Sequence, residues 1–175
     1  MKLLLLDADV IINLLGFDLI DSLIAAYDVY ACSTVIDEIR FYRRQEIKTN
    51  INFRQRYVNT GKVSELSANS TEIKEMLQRI PDLFRESIDP GETESLTILI
   101  KRLDLNLFFC SCDARAIQAL SHLQVSEKGI FLEKVLKAFK HNKVDIGEKH
   151  SENNFKRYIE LGKIEFVQNV QLNKK

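Results

Sequence analysis

The chain has 175 residues, 45% of them hydrophobic, which is enough to bury one core, so a single domain over residues 1–175 is expected. Lys and Arg number 25 and Asp and Glu number 25, and this balance excludes a global positive field that would draw the molecule onto a polyanion. The three cysteines, Cys32, Cys110 and Cys112, are an odd count with two of them too close along the chain to pair easily, which argues for a reducing, cytoplasmic compartment.

Residues 2–6 form a continuous apolar run closed by Asp7, the pattern of a central parallel strand covered on both faces. Asp7 and Asp9 interrupt the apolar start, which excludes a signal peptide, and no stretch reaches the roughly 20 apolar residues that span a bilayer. Residues 10–26 read as a helix and 29–32 as a second strand. Thr34 and Asp37 then open a helix carrying Val35, Ile36, Ile39 and Tyr42. Between residues 41 and 70 the periodicity fades, with a turn at Thr60-Gly61 and a short strand at 62–66. A helix is expected over 71–84, ended or bent by Pro81. Asp89-Pro90-Gly91-Glu92 carries an N-cap, Pro at the first position and Glu at the third, so a further helix starts there. A buried strand over 105–111 ends at Asp113. Helices at 114–123, 131–139 and 154–161 and an edge strand at 164–170 complete the chain. Alternating strands and helices define an α/β fold, three-layer α/β/α with a mostly parallel central sheet, whose sites lie beyond the carboxyl ends of the strands.

Four acids fall at that end: Asp7 after the first strand, Glu38 in the helix after the second, Glu92 at the start of a later helix, and Asp113 after the 105–111 strand. Gathered carboxylates oppose each other's ionisation unless a cation neutralises them, and an all-oxygen set suits Mg²⁺ or Mn²⁺. Such ions activate water and clamp a phosphate, so no nucleophilic side chain is required. Each acid also has a structural reading: Asp7 and Asp9 as helix caps, Glu38 against a helix dipole, and Glu92 in a capping box. At about 100° per residue, Glu92 lies on the side of Leu96 and Ile100 while Glu94 lies nearly opposite. Glu92 is therefore expected to be the inward ligand, with Glu94 in reserve.

At these residues the chain resembles the PIN-domain family of metal-dependent ribonucleases, in its bacterial toxin-like branch. LLLLDADVIINLL at residues 3–15 resembles the family's opening strand and helix, and STVIDEI at 33–39 its second acidic motif. DPGETESLTILI at 89–100 and CSCDARAIQAL at 110–120 resemble the later two. The resemblance implies that Asp7, Glu38, Glu92 and Asp113 are catalytic carboxylates holding the metal, and that Ser111 supports the site. It also implies hydrolysis of RNA, leaving a 5′-phosphate and a 3′-hydroxyl, along with a homodimer and a small antitoxin partner.

Arg40, Arg43, Arg44, Lys48, Arg54 and Arg56, interleaved with Phe41, Tyr42, Phe53 and Tyr57, can grip phosphates and stack bases of a single strand. The competing reading is a solvated helix face with its aromatics packed inward. Among these residues Arg40, Arg43 and Arg44 are the candidate substrate contacts. Lys134, Lys137, Lys140 and Lys143 read as plain surface, and His122, His141 and His150 lack the spacing of a zinc site. Cys110 and Cys112 read as core thiols. Two rival functions stay open. Asp7-Ala8-Asp9-Val10 is similar to the nucleophile motif of haloacid dehalogenase-like phosphatases, with Asp7 phosphorylated and Asp9 as acid and base. A catalytically inactive RNA- or protein-binding scaffold is the other.

Overall fold

Four consecutive leucines can be buried on both faces only inside a sheet, and Leu3–Leu6 forms the central strand β1 with Leu4, Leu5 and Leu6 fully buried. The computed structural model describes residues 3–138 and 146–172. After β1 come α1 (Ala8–Gly16), α2 (Ile20–Ala26), β2 (Asp28–Cys32) and α3 (Ser33–Glu38). The chain then forms a hairpin, β3 (Phe41–Arg44) and β4 (Ile47–Asn50), a π-helical turn at Arg54–Val58, and β5 (Ser64–Leu66). Next are α4 (Ser70–Leu77), α5 (Asp82–Arg85), α6 (Pro90–Lys101), β6 (Leu107–Cys110), α7 (Ala114–His122), β7 (Gly129–Ile130), α8 (Leu132–Lys137) and α9 (Glu152–Leu172).

The main sheet has the order β5-β2-β1-β6-β7, and every pairing in it is parallel. Leu3 stands opposite both Asp28 and Leu107, so the residues after β1, β2 and β6 emerge together at one edge. From β1 the chain first moves outward through β2 to β5 and then crosses back to β6. Right-handed crossovers then place α1 and α2 on one face and α6 and α7 on the other, with a switch in direction between β1 and β6. Helix α6 packs on β2 and β6, across β1, and is buried from Gly91 to Ile100 apart from the half-buried Thr93. This is the expected three-layer α/β/α arrangement. No described helix is long and apolar enough to cross a membrane.

Several expected elements differ. Residues 10–26 form two helices because Asp18 adopts a left-handed conformation (φ 63°) that ends the first. Helix α3 stops at Glu38, so Tyr42 lies on a strand, and Glu38 occupies the end of a six-residue helix instead of its first turns. Its cap is Cys32, whose sulfur accepts from the Val35 N–H at 3.5 Å. The helix expected over 71–84 divides into α4 and α5, the former started by an Asn69–Glu72 capping box. The left-handed Asn106 (φ 49°) delays the sixth strand to Leu107. Residues 164–170 belong to α9, not to an edge strand: Phe155, Ile159 and Gly162 recur at helical spacing and face α7. A Cβ on Gly162 would lie 2.5 Å from the Gln118 carbonyl oxygen, a measure of how closely the two helices approach. Lys2, Phe139, Lys140, His141 and Lys143 lie outside the described residues.

Candidate metal and catalytic site

The β1 ladder runs on to Asp7, whose N–H donates to the Cys110 carbonyl at 3.1 Å, and this fixes the Asp7 backbone between the two central strands. Asp7 is also the N-cap of α1: Oδ1 accepts from the Ala8 N–H at 2.7 Å. Its other oxygen accepts from the Ser111 hydroxyl at 2.8 Å, while the Ser111 oxygen accepts from the Asp113 N–H at 3.0 Å. Asp113 in turn caps α7, its Oδ1 accepting from the N–H groups of Arg115 and Ala116. One hydroxyl thus ties together the two acids that begin α1 and α7.

On the facing layer, Asp89 and Glu92 form a reciprocal capping box at the start of α6. Glu92 is 4% exposed and Asp7 6%. Burial pushes the Asp7 carboxyl up to about 6, and the Ser111 hydrogen bond opposes that rise. Burial, reinforced by the charges of Asp113, Asp7 and Asp89, pushes Glu92 up to about 9. Asp7 therefore ionises first, and burial, with the charges of Asp113, Asp7 and Asp89 added to it, keeps the proton on Glu92. Glu38 lies beside this start: its carboxylate oxygens are 3.2 and 3.3 Å from the position of a Cβ on Gly91, and its pKa is raised by partial burial and by Asp89.

No protein-family model matches this chain, and no curated protein or solved structure is similar to it.

The structure brings Asp7, Glu92 and Asp113 into one electrostatic group, with Glu38 at its border through Asp89. Glu94 is different. It is 5% exposed, and its two oxygens accept from the Thr34 N–H at 2.9 Å and the Ala68 N–H at 3.1 Å. It braces the first turn of α3 and the loop that follows β5, so both oxygens of the reserve ligand are engaged by backbone N–H groups. Two charged residues escaped the sequence reading as site members. Asp89 was legible only as a cap, yet it acts electrostatically on Asp7, Glu38 and Glu92. Lys149 reaches Asp9 from 140 residues away, with Nζ 3.2 Å from Oδ2, and the Cys112 thiol meets the same oxygen at 3.8 Å.

Among the described residues, no three His, Cys, Asp or Glu side chains are drawn around one point closely enough to hold an ion as they stand. The donor chemistry nevertheless fits a hard divalent cation. The group is all oxygen, and burial holds two of its members above the ordinary carboxylate range, with the neighbouring acids adding to the rise. All three cysteines are buried free thiols, and burial pushes Cys32 and Cys112 up to about 12, so both stay protonated at neutral pH.

Of the basic stretch, most charges are engaged. Arg44 pairs with Asp18 at 3.0 Å, Arg54 with Asp37 and Glu65, Arg56 with Asp21 at 4.0 Å, and Arg40 donates to the Asp37 carbonyl at 3.4 Å. Phe53 and Tyr57 pack inward, as the structural reading expects, but Phe41 to Asn50 is a hairpin and not a helix face.

Proposed function

We propose that this chain is a divalent-cation-dependent endoribonuclease with a PIN-like domain, cutting phosphodiester bonds at the carboxylate group of Asp7, Glu38, Glu92 and Asp113. The observation that carries the reading is the buried Asp7 at the switch in strand order, hydrogen-bonded by Ser111 and surrounded by acids that oppose one another's ionisation. Structural caps alone need no such convergence. Each of Asp7 and Asp113 could cap its helix without being tied to the other, and burying an uncompensated acid costs stability.

Mg²⁺ or Mn²⁺ held by these four residues would supply Lewis-acid polarisation of the scissile phosphate and neutralise charge there. The chain's own groups do the rest. Ser111 orients Asp7 by donating to Oδ2, while the Ala8 N–H holds Oδ1. Asp89 holds Glu92 through the capping box. Glu92 keeps its proton at neutral pH until positive charge arrives, so cation uptake releases a proton. The phosphatase alternative would leave Glu92 and Glu38 without a task, and its Asp9 is paired with Lys149. The toxin-like branch adds a small antitoxin and a homodimer to this proposal, both tested by the mass of the complex purified from its native host.

The test is cleavage of labelled single-stranded RNA with Mn²⁺ or Mg²⁺, with EDTA, and with Asp7→Asn. Cation-dependent cleavage lost in the variant and leaving 5′-phosphate ends is expected. Absence of cleavage together with absence of a proton-releasing Mn²⁺ titration would overturn the proposal.

A further inference from the structure

The hairpin that the carboxylate chemistry leaves unexplained forms one wall of a cleft of about 510 Å³. Asn13 and Phe17 of the α1 side, Phe41, Arg43 and Gln45 of the hairpin, and Asp9 and Lys149 at one end line it. Asp9 is two residues from Asp7 and within reach of Cys112, so that end lies at the border of the carboxylate group. The volume falls in the range of roughly 300–1,000 Å³ of ordinary ligand sites.

Three independent features give the cleft its chemistry. Phe17 and Phe41, 37% and 39% exposed, are the two most exposed phenylalanines among the described residues, and both line this one cleft. Register places Arg43 directly opposite Lys48 on the hairpin, where paired strands set like charges side by side and an intervening anion would relieve them. Lys48 lies over the Phe41 ring at 3.9 Å, and neither Arg43 nor Lys48 meets an acid among the described residues, whereas Arg44, Arg54 and Arg56 do. The wall is also closely packed. A Cβ on Gly16 would stand 2.6 Å from the Arg43 carbonyl oxygen, so the hairpin backbone rests directly on α1. The two-residue turn is held with both Gln45 (φ 46°) and Glu46 (φ 65°) left-handed.

We propose that this cleft is the track for single-stranded RNA, with Arg43 and Lys149 taking phosphates and Phe17 and Phe41 stacking bases. Cations set beside exposed rings, here Arg43 with no acid partner among the described residues and Lys149 shared with Asp9, are the composition of single-strand binding grooves. Rings and arginine also suit a protein surface, and failure of both oligonucleotides to bind is the outcome that would favour that occupant. The choice of RNA rests on the nuclease reading, while the track itself is tested without cleavage.

The experiment measures fluorescence anisotropy of labelled oligouridylate and oligodeoxythymidylate with the Asp7→Asn protein in EDTA, over a salt series. Arg43→Ala and Lys149→Ala are each expected to weaken RNA binding and to lower the log–log salt slope by about 0.7, the value for one phosphate contact on a single strand. Phe41→Ala is expected to weaken binding roughly 10-fold with the slope unchanged. Gly16→Ala, which displaces the hairpin and removes no charge, should also weaken it, and Lys163→Ala on the far helix should do nothing. Thermal melts establish that each variant is folded. Parent-like affinity and slope in Arg43→Ala, Lys149→Ala and Phe41→Ala would overturn the track, as would tighter binding of the deoxy strand for its RNA assignment. Cleavage by the wild type with no effect of these variants defeats the track alone. Binding that the variants abolish, without cleavage by the wild type, defeats the nuclease alone.

Discussion

Replacing Asp7 by Asn should make the cation-free protein more stable at neutral and alkaline pH. The folded chain holds the Asp7 proton to about 6 against an ordinary 3.8, so the native state binds more protons than the unfolded one across that window. Stability attributable to Asp7 is therefore undiminished below pH ~4, falls as pH rises through the window, and stays low above it, by ~3 kcal/mol in all. Asn removes the charge and keeps the acceptor for the Ala8 N–H. Its amide meets Ser111 less well than a carboxylate does, at a cost of about 1 kcal/mol. The net expectation is ~2 kcal/mol of stabilisation at about pH 8, or a melting temperature higher by roughly 4–8 °C for a domain of this size. Urea denaturation of both proteins in EDTA, at about pH 4 and about pH 8, measures the difference; loss of the Asp7 charge also lowers the Glu92 pKa, which acts in the same direction and adds to the variant's advantage at the higher pH. Saturating Mn²⁺ should reverse the order by stabilising the parent alone. Asp7→Asn no more stable than the parent at the higher pH, or a gap between them that does not change with pH, would refute the account of a buried carboxylate awaiting a cation.

Removing the brace in Glu94→Ala leaves two part-buried N–H groups without their acceptor, and denaturation should show a loss of about 1–3 kcal/mol, with Glu94→Gln costing less because it retains one acceptor. Ser111→Ala deletes the hydrogen bond that lowers the Asp7 pKa, so the acid limb of the pH–rate profile should move to higher pH. Gly162→Ala pushes a methyl group against the Gln118 backbone, and thermal melts should reveal a cost of about 1–3 kcal/mol despite the better helix propensity of Ala. An Asn-Gly turn in place of Gln45-Glu46 relieves two left-handed residues and should raise stability by ~1 kcal/mol in the same assay.

The central layer was legible because its signals are local. Leu3 to Leu6 and Leu107 to Cys110 are apolar runs that only a doubly covered strand can bury, and the Asp89 capping box marks a helix start by itself. The order of acids along the chain then anticipated that Asp7, Glu92 and Asp113 would gather, since parallel strands deliver their carboxyl ends to one edge. What failed was non-local or lacked its usual marker. The hairpin turns through Gln and Glu where Asn-Gly would have announced it, and its strands carry Arg and Lys in place of an apolar alternation. Ile164, Val167 and Val170 are β-branched and favour a strand by propensity, but they are the exposed side of a helix whose buried side is set by α7. The separate fates of Glu92 and Glu94 depended on which loops approached α6 from either side. Nothing near residue 149 announced its pairing with Asp9.

The hydrogen bond between Ser111 and Asp7 joins residues 104 apart. During synthesis β1 and β2 emerge early, but β6 belongs on the other side of β1 and arrives only after more than half the chain has been made. Until it docks, β1 is an apolar edge strand with an unpaired ladder, the kind of surface that associates with other chains. Asp7 meanwhile remains an ordinary, solvated carboxylate. Insertion of β6 closes that edge and brings Ser111 onto Asp7, so the buried, hydrogen-bonded carboxylate exists only in a chain whose central sheet is complete. Long-range parallel pairing of this kind is slow to form, and the site reports its completion.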